Sequence, residues 1–484
     1  MLFNSIEYAI FLPLVFILYW LVSSRNINIQ NLLLLISSYI FYAFWDWRFL
    51  FLLIFVSVLS YSIALIIQKA ERKEQKKKWL ITGISINLLV LAYFKYFNFF
   101  VDSFIDLFTT FGISLQKTTL EIILPIGISF YIFLSLSYII DVYWEKLKAE
   151  KNLIDVLLTL GFFPILLAGP IQRPITLLPQ IKSKRIFHYQ SAVDGLRQIL
   201  WGLFKKIVIA DNAAVQVNYI FSNYESLDGS MLLLGAFYFA FQIYGDFSGY
   251  SDIAIGTARL LGFNLMQNFN YPYFSKNIGE FWKRWHISLS NWLNEYLFLP
   301  ISYSLARKLS QRKYLGIRAD KINYSIAITV TFFLCGLWHG ANWTFIIWGL
   351  LYAFYLIFAL FTKNSKKRFK KKLRLDKLPI IPIIITFTLT SLGWIFFRAD
   401  NLAQAFGYIE RLFSASLFTL PDRSRTLYFI IAFIIVEWLQ RKKQHGLEID
   451  NIKITALRWS VYYLIIFVIL NFSGSQQEFI YFQF

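Results

Sequence analysis

Long apolar stretches separated by short polar or basic loops follow one another along the whole 484-residue chain. A helix needs about 20 residues to cross the roughly 30 Å of hydrocarbon in a bilayer. The pattern therefore predicts an all-α, polytopic membrane protein with roughly eleven transmembrane helices, in one domain over residues 1–484. The apolar stretches lie at 6–22, 29–45, 49–67, 79–98, 120–144, 153–168, 195–222, 230–262, 323–361, 378–397, 426–440 and 457–473.

The composition favours a membrane protein over a soluble one. Hydrophobic residues make up 57% of the chain and charged residues 16%, against roughly 25% charged in a soluble domain. The net charge of +20 collects in short loops, which argues against a nucleic-acid-binding face. Because short basic loops stay in the cytoplasm, we expect both termini on the outer side, including the C-terminal tail at 474–484. The basic loops are 69–78, 182–185, 363–377 and 441–443.

The apolar stretch at 323–361 is too long for a single crossing. Its 39 residues would form a helix of about 58 Å, and Lys321 and Lys363 flank it on both sides. We therefore predict two passes with a break at the GLWHGAN segment, which contains His339. Irregular backbone at that depth is tolerated only where it is buried in protein or lines a watery cavity.

The segment at 274–300 mixes charged residues with aromatic ones. This mixture predicts a helix at the cytoplasmic membrane interface with aromatic anchors and a basic face. The charged residues are Lys276, Glu280, Lys283 and Arg284, and the apolar ones that alternate with them are Phe281, Trp282, Trp285 and Leu289.

The four histidines differ in their surroundings. His188 and His445 lie beside basic loops and are expected at the solvated surface. His286 follows a WKRW motif and is either a locally hydrogen-bonded interfacial residue or a functional one. His339 stands in an apolar break, where an ionisable residue is a functional candidate by default. A neutral imidazole there can accept a proton from a hydroxyl that attacks an acyl group, whereas the alternative is a satisfied packing residue.

Metal and thiol chemistry receive little support from the sequence. Cys335 is the single cysteine, and there is no HExxH motif and no pair of histidines one helical turn apart. Cys335 precedes His339 by one helical turn. It is either an acyl-carrying nucleophile or, as we favour, a packing residue.

Two carboxylates, Asp246 and Asp252, lie in the apolar segment at 239–256. They either pair with cations elsewhere in a buried polar network or line a substrate path. Gly245 and Gly249 favour a broken or closely packed helix at this point.

Several motifs together resemble the membrane-bound O-acyltransferase family, in particular its bacterial branch of alginate O-acetyltransferases, which includes peptidoglycan O-acetyltransferases. The strongest are QNFNYPYFSKNIGEFWKRWHISLSNWLNEYLFLP at 267–300 and FFLCGLWHGANWTFIIWG at 332–349. The segments at 124–143, 162–174, 241–256 and 392–399 agree. The resemblance implies a ring of tilted transmembrane helices, with interfacial and re-entrant helices, around a thin central partition.

The resemblance also implies an activity. His339 matches the catalytic histidine of the family, and His286 matches its second motif histidine. The donor would be cytosolic acetyl-CoA, with no permanently bound cofactor and no metal. The acceptor would be hydroxyls of an extracytoplasmic polysaccharide of the alginate or peptidoglycan type, reached through a periplasmic partner similar to SGNH hydrolases. The protein would lie among the lipids of the bacterial inner membrane. Residues expected to bind substrate are Trp282, Lys283, Arg284 and Trp285 at the donor entrance, and Asp246, Asp252 and Asn342.

Other functions stay open at this stage. The protein is alternatively a lipid O-acyltransferase, or a non-enzymatic transporter or lipid-binding scaffold that uses the same polar residues. A further relative of the family transfers D-alanine toward teichoic acids, so the sequence leaves the acceptor open.

The chain ends with the aromatic segment EFIYFQF at 478–484. An exposed end of this kind favours aggregation unless it docks. The segment resembles the C-terminal motif of a small peptide that works beside the D-alanine-transferring relative. Tyr481 offers its only hydroxyl and is either a carrier of the acyl group or part of a tail that only packs.

Overall fold

A computed structural model describes residues 1–22, 26–113, 122–167, 169–309, 312–363, 380–421 and 425–480. The prediction of an all-α fold is confirmed. Within these ranges the strands are two residues each, β1 (Lys313–Tyr314) and β2 (Ile317–Arg318), and they pair antiparallel. The chain divides into two compact units, residues 1–199 with 250–266 and residues 200–249 with 267–484.

The first unit packs apolar helices around small polar side chains. Ser135 donates to Asn87 Oδ1 at 2.7 Å in the buried interior, the type of bond that joins helices in lipid. The helices of this unit are α1 (Ile6–Val22), α2 (Ile27–Asp46), α3 (Arg48–Lys69), α4 (Lys73–Thr110), α5 (Ile128–Tyr143), α6 (Leu153–Gly161), α7 (Phe163–Leu166) and α8 (Pro174–Lys182).

Two helices begin in one unit and end in the other, α9 (Tyr189–Phe204) and α11 (Gly229–Leu260). A π-helical turn, Lys205–Ala210, joins α9 to α10 (Asp211–Ser222). The remaining helices belong to the second unit. They are α12 (Ile278–Trp282), α13 (Ile287–Leu293), α14 (Leu299–Lys308), α15 (Ala319–His339), α16 (Trp343–Phe361), α17 (Ile380–Arg398), α18 (Leu402–Ser414), α19 (Arg425–Gln440) and α20 (Thr455–Asn471), with a 3₁₀ turn at Pro272–Phe274 and a π-helical turn at Asn294–Phe298.

Most of the predicted apolar stretches coincide with helices. Six described helices, α2 to α4 and α15 to α17, are long and apolar enough to cross a membrane, and three shorter ones, in α1, α5 and α20, are also apolar. The stretch at 153–168 is an exception, because it contains α6 and α7 of nine and four residues. The prediction of one crossing helix there is wrong, since nine residues reach only about 14 Å. The total number of crossings stays a prediction.

The predicted interruption at GLWHGAN is confirmed. Helix α15 ends at His339 and α16 begins at Trp343. The predicted interfacial helix at 274–300 is instead divided into α12 and α13, and His286 lies at the junction.

Candidate active site

His339 is the last residue of α15 and is buried, with 3% of its surface exposed. Three aromatic rings surround its imidazole. The ring centroid of Trp338 lies at 4.7 Å, that of Trp348 at 4.9 Å and that of Phe397 at 5.1 Å. The imidazole therefore lies in a largely apolar aromatic environment at the end of a helix, as the sequence predicted.

Close packing between α15 and α16 positions this histidine. A Cβ atom at Gly349 would lie 2.2 Å from the carbonyl oxygen of Phe332, and one at Gly336 would lie 2.3 Å from that of Phe345. Both glycines are thus required by the backbone contact, as is common where membrane helices approach closely. The pair holds His339 of one helix against Trp348 of the other.

His286 is buried at the N-terminus of α13, with 1% of its surface exposed. Its φ of 42° lies in the left-handed region, which is uncommon for residues other than glycine. Nδ1 lies 3.1 Å from Oδ1 of Asn268, and the Phe247 ring packs perpendicular to the imidazole with 4.6 Å between the ring centroids. Burial lowers the pKa of His286 to about 3, so the ring is neutral at physiological pH.

Trp338 connects the two histidines. Its ring centroid lies 6.1 Å from that of His286 and 4.7 Å from that of His339. The second unit therefore brings together two histidines that are 53 positions apart in the sequence. Sequence reasoning did not single out Trp338, Asn268 or Phe247, because a buried aromatic or amide side chain has no distinctive pattern in a chain this apolar.

The tryptophans of α12 and its following turn do not face lipid. Trp285 is 2% exposed, and its ring centroid lies 4.9 Å from that of Trp394. Trp282 is 9% exposed, and its ring centroid lies 5.0 Å from that of Phe332. The prediction that they are interfacial anchors is wrong, because tertiary packing in the second unit covers both rings.

The cations of the same segment are more accessible than the tryptophans. Lys283 is exposed, and Arg284 is half-buried and donates to Glu280 at 2.8 Å. The basic face is therefore present, whereas the aromatic face forms part of the core.

Asp246 belongs to a buried ion group, which is one of the two alternatives that the sequence left open, although the sequence did not identify its partners Lys206 and Asp211. The ammonium of Lys206 lies 2.8 Å from a carboxylate oxygen of Asp246 and 2.8 Å from one of Asp211. Two lysines inside a predicted membrane stretch, Lys205 and Lys206, were the signal that was available. Helix α11 is continuous here and closely packed, because a Cβ at Gly249 would lie 2.8 Å from the carbonyl oxygen of Gly202.

The other predicted polar residues lie elsewhere. Asp252 belongs to the first unit, where it accepts a hydrogen bond from Gln198 at 2.9 Å. Asn342 caps α16 by accepting from the backbone of Thr344, and it donates to the carbonyl of Asp400 at 2.8 Å. Both side chains thus have structural partners.

The C-terminal tail is described as far as Ile480. The N–H of Ile480 donates to Asp246 Oδ2 at 2.7 Å. Phe479 is fully buried, and its ring centroid lies 6.0 Å from that of Phe247. The tail therefore docks in the second unit, on the aromatic ring that also contacts His286. Tyr481 lies outside the described residues.

Three further sequence predictions concern His188, His445 and Cys335. His188 is exposed as expected, but His445 is 2% exposed, so its predicted surface position is wrong. Cys335 is fully buried, as a packing residue would be. In the part of the chain that the structure describes, no three His, Cys, Asp or Glu residues form a group that would hold a metal ion.

Comparison with known proteins adds the following similarities. The family model of the membrane-bound O-acyltransferases matches residues 39–398. A probable alginate O-acetylase of Azotobacter vinelandii is 40% identical over 431 residues, which cover 88% of this chain and 80% of the relative. The peptidoglycan O-acetyltransferase of Helicobacter pylori is 32% identical over 541 residues, covering 100% and 98%. The teichoic acid D-alanyltransferase of Bacillus subtilis is 28% identical over 278 residues, covering 56% and 68%. The range 39–398 contains both histidines and the ion group, but not the tail.

Proposed function

Because the chain belongs to the membrane-bound O-acyltransferase family, and is therefore a multi-pass membrane acyltransferase, we propose that it transfers acetyl groups from cytosolic acetyl-CoA to an extracytoplasmic polysaccharide. The acceptor class follows the relatives, which act on alginate or on peptidoglycan. One observation in this chain carries the proposal. His339 is buried at a helix interruption, and His286 lies against the same ring, that of Trp338.

In this proposal His339 is the general base. The acceptor hydroxyl oxygen attacks the carbonyl carbon of the acetyl thioester while the imidazole accepts its proton. The tetrahedral intermediate then collapses, the carbon–sulfur bond breaks, and the imidazolium returns the proton to the departing thiolate of CoA. A base of this kind contributes about 10²–10⁴ to the rate. The aromatic surroundings of His339 would exclude water, which otherwise hydrolyses the thioester.

The donor binds, in this proposal, on the cytoplasmic side. Lys283 and Arg284 present a cationic face to the phosphates of acetyl-CoA, since both charge and hydrogen-bond donors match phosphate. Three buried neighbours of these cations would line the path of the acetyl group toward His339. They are His286, Trp282 and Trp285. The predicted substrate-binding roles of Asp246 and Asn342 in the second unit, and separately of Asp252 in the first, stay predictions.

The acceptor side involves Tyr481 and a partner protein. Tyr481 follows Ile480, whose backbone N–H donates a hydrogen bond to the carboxylate of Asp246. We propose that its phenol receives the acetyl group at the outer side of the cytoplasmic membrane. A periplasmic acetyltransferase similar to SGNH hydrolases would then pass the group to the polymer, because a phenyl ester is more labile than an alkyl ester.

The test uses the purified protein in lipid vesicles with acetyl-CoA labelled in the acetyl group, together with the acceptor polysaccharide and a periplasmic acetyltransferase of the proposed type. His339→Ala should lower acetyl transfer by about 10²–10⁴, whereas His188→Gln, an exposed histidine of the first unit, should not change it. Tyr481→Phe preserves the ring and removes the hydroxyl, so it should abolish both polymer acetylation and the acetyl adduct that mass spectrometry detects on the tail.

The outcomes separate the competing functions. Wild-type transfer by His339→Ala would exclude its role as a base. Activity that survives His339→Ala and needs no acyl donor would favour a transporter. Label recovered on membrane lipids instead of polymer would favour a lipid O-acyltransferase. Full polymer acetylation by Tyr481→Phe would exclude the carrier role and leave direct transfer.

A further inference from the structure

The second unit contains an ion group buried in an apolar chain. Lys206 is 1% exposed, Asp211 is 2% exposed and Asp246 is 3% exposed. Lys206 lies in the π-helical turn between α9 and α10, a deviation that is frequent at functional sites. Buried ions are costly unless every charge is paired and hydrogen-bonded. Two carboxylates share the single ammonium of Lys206, so the group needs further hydrogen-bonding partners.

The C-terminal segment completes the hydrogen bonding of the ion group. Lys206 Nζ donates to the backbone carbonyl of Gln477 at 2.9 Å, and Asp246 Oδ2 accepts from the backbone N–H of Ile480 at 2.7 Å. One cation and one anion of the group thus each bind the main chain of residues 474–480, which we call the tail segment. Main-chain bonds hold the segment whatever its side chains are.

Two further contacts fix the position of the tail segment. Two residues before its start, the carbonyl of Phe472 accepts a hydrogen bond from Asn212 at 2.9 Å. At its first residue the backbone passes so close that a Cβ at Gly474 would lie 3.0 Å from the backbone nitrogen of Asn212 and from the carbonyl carbon of Asp211. At its end, the Phe479 ring packs on Phe247, which itself packs on His286 at 4.6 Å. The segment is therefore held over about seven residues and ends beside the histidine site.

We infer that Lys206, Asp211 and Asp246 form a clamp that positions the tail segment beside His286, so that this segment takes part in acyl transfer from a fixed place. Lys206 and Asp246 are positioning residues in this inference, because they hold the main chain of the tail. The inference rests on the proposed function for its kinetic consequence, but the docking that it describes is measurable without any acyl transfer.

A segment that is not held samples many conformations, and ordering it costs conformational entropy. The clamp would supply this ordering before the substrates arrive. Loss of the clamp should therefore affect the transfer step and leave donor binding unchanged. A misplacement of about 1 Å can reduce a rate by about 10².

Cysteine labelling measures the docking. In a Cys335→Ala background, Ile480→Cys introduces one thiol at a position that is 3% exposed and keeps the backbone N–H. We expect slow reaction with a maleimide in the full-length protein in vesicles. Lys206→Met should speed the labelling at least tenfold, whereas Asp155→Asn, at a buried carboxylate of the first unit, should not change it.

A second variant keeps the ion group intact. Gly474→Val adds a side chain where the tail segment touches the backbone of Asp211 and Asn212, each 3.0 Å from a Cβ at this position. Because it changes no side chain of the ion group, it should lift the segment while the carboxylates of Asp211 and Asp246 stay paired with Lys206. It therefore separates loss of the clamp from misfolding of the buried charges. Unchanged labelling in Gly474→Val and in any folded Lys206→Met would overturn the clamp.

Kinetics then test the positioning role. In the background without the added cysteine, Gly474→Val should lower kcat for polymer acetylation by about 10² while KM for acetyl-CoA stays constant. Wild-type kcat together with fast labelling would overturn the role in transfer. If no acetyl transfer is found in any variant, the proposed function fails, but the labelling result still decides whether the clamp exists.

Discussion

At the residue scale, the proposed donor entrance depends on the different burial of neighbouring residues in the WKRW motif at 282–285. Within the WKRW motif Trp282 and Trp285 are covered by the core, whereas Lys283 is exposed and Arg284 is half-buried. The two cations therefore remain available to a ligand, since the Arg284 ion pair with Glu280 is partly exposed and such pairs are weak.

A prediction at this scale concerns the donor. The double change Lys283→Gln and Arg284→Gln should raise KM for acetyl-CoA by at least about tenfold, because one charge-assisted hydrogen bond to phosphate contributes about 1.5–3 kcal/mol and about 1.4 kcal/mol is a factor of ten. The rate at saturating donor should change little. Steady-state kinetics in vesicles measure both quantities. Arg318→Gln, which removes another exposed ion pair, is the control. An unchanged KM in the double variant would argue against phosphate recognition here.

At the element scale, the pair of α15 and α16 is the unit that matters for His339. Its helices are joined by three residues and contact each other through Gly336 and Gly349. Shortening the connection between α15 and α16, or adding side chains at Gly336 or Gly349, would move His339 relative to Trp348. Small residues thus determine the position of a catalytic candidate although they perform no chemistry.

The corresponding prediction compares two glycines. Gly349→Ala places a methyl group 2.2 Å from a backbone oxygen, so it should destabilise the protein by about 1–3 kcal/mol. In Gly279→Ala the nearest atom lies at 3.3 Å and belongs to the Asn277 side chain, so a smaller effect is expected. Thermal unfolding of the purified proteins in detergent provides the comparison. Equal melting temperatures for Gly349→Ala and wild type would contradict the required close contact.

At the scale of the whole molecule, charge distribution predicts orientation. The 48 Lys and Arg residues outnumber the 28 Asp and Glu residues, and by the positive-inside rule their concentration in short loops predicts that those loops lie in the cytoplasm. The same reasoning predicts both termini on the outer side. The tail segment would then meet the acceptor and not the donor.

Orientation is testable in spheroplasts. In a Cys335→Ala background, Ser475→Cys should react with a membrane-impermeant maleimide, because Ser475 is exposed and expected outside. Lys73→Cys, also exposed but at the start of α4 in the basic segment at 69–78, should react only after permeabilisation. The reverse pattern would place the tail in the cytoplasm and remove the basis for Tyr481 as an acceptor-side carrier.

The sequence by itself determined the class of fold and the place of the main histidine. Apolar periodicity is a local property, and it predicted the helices and the interruption at His339, because a membrane helix must satisfy its own backbone. The length of the stretch at 323–361 and the lysines that flank it were sufficient to predict the interruption, without knowledge of the helices that pack against it.

Only the tertiary structure decided which side chains meet. Trp338 contacts both histidines, Lys206 pairs with Asp211 and Asp246, and the tail segment binds that group across more than 200 positions of sequence. The tryptophans of the WKRW motif are core residues because rings from distant parts of the sequence cover them. In a chain in which one residue in five is aromatic, the pattern does not distinguish a ring that faces lipid from one that faces protein, because both environments are apolar.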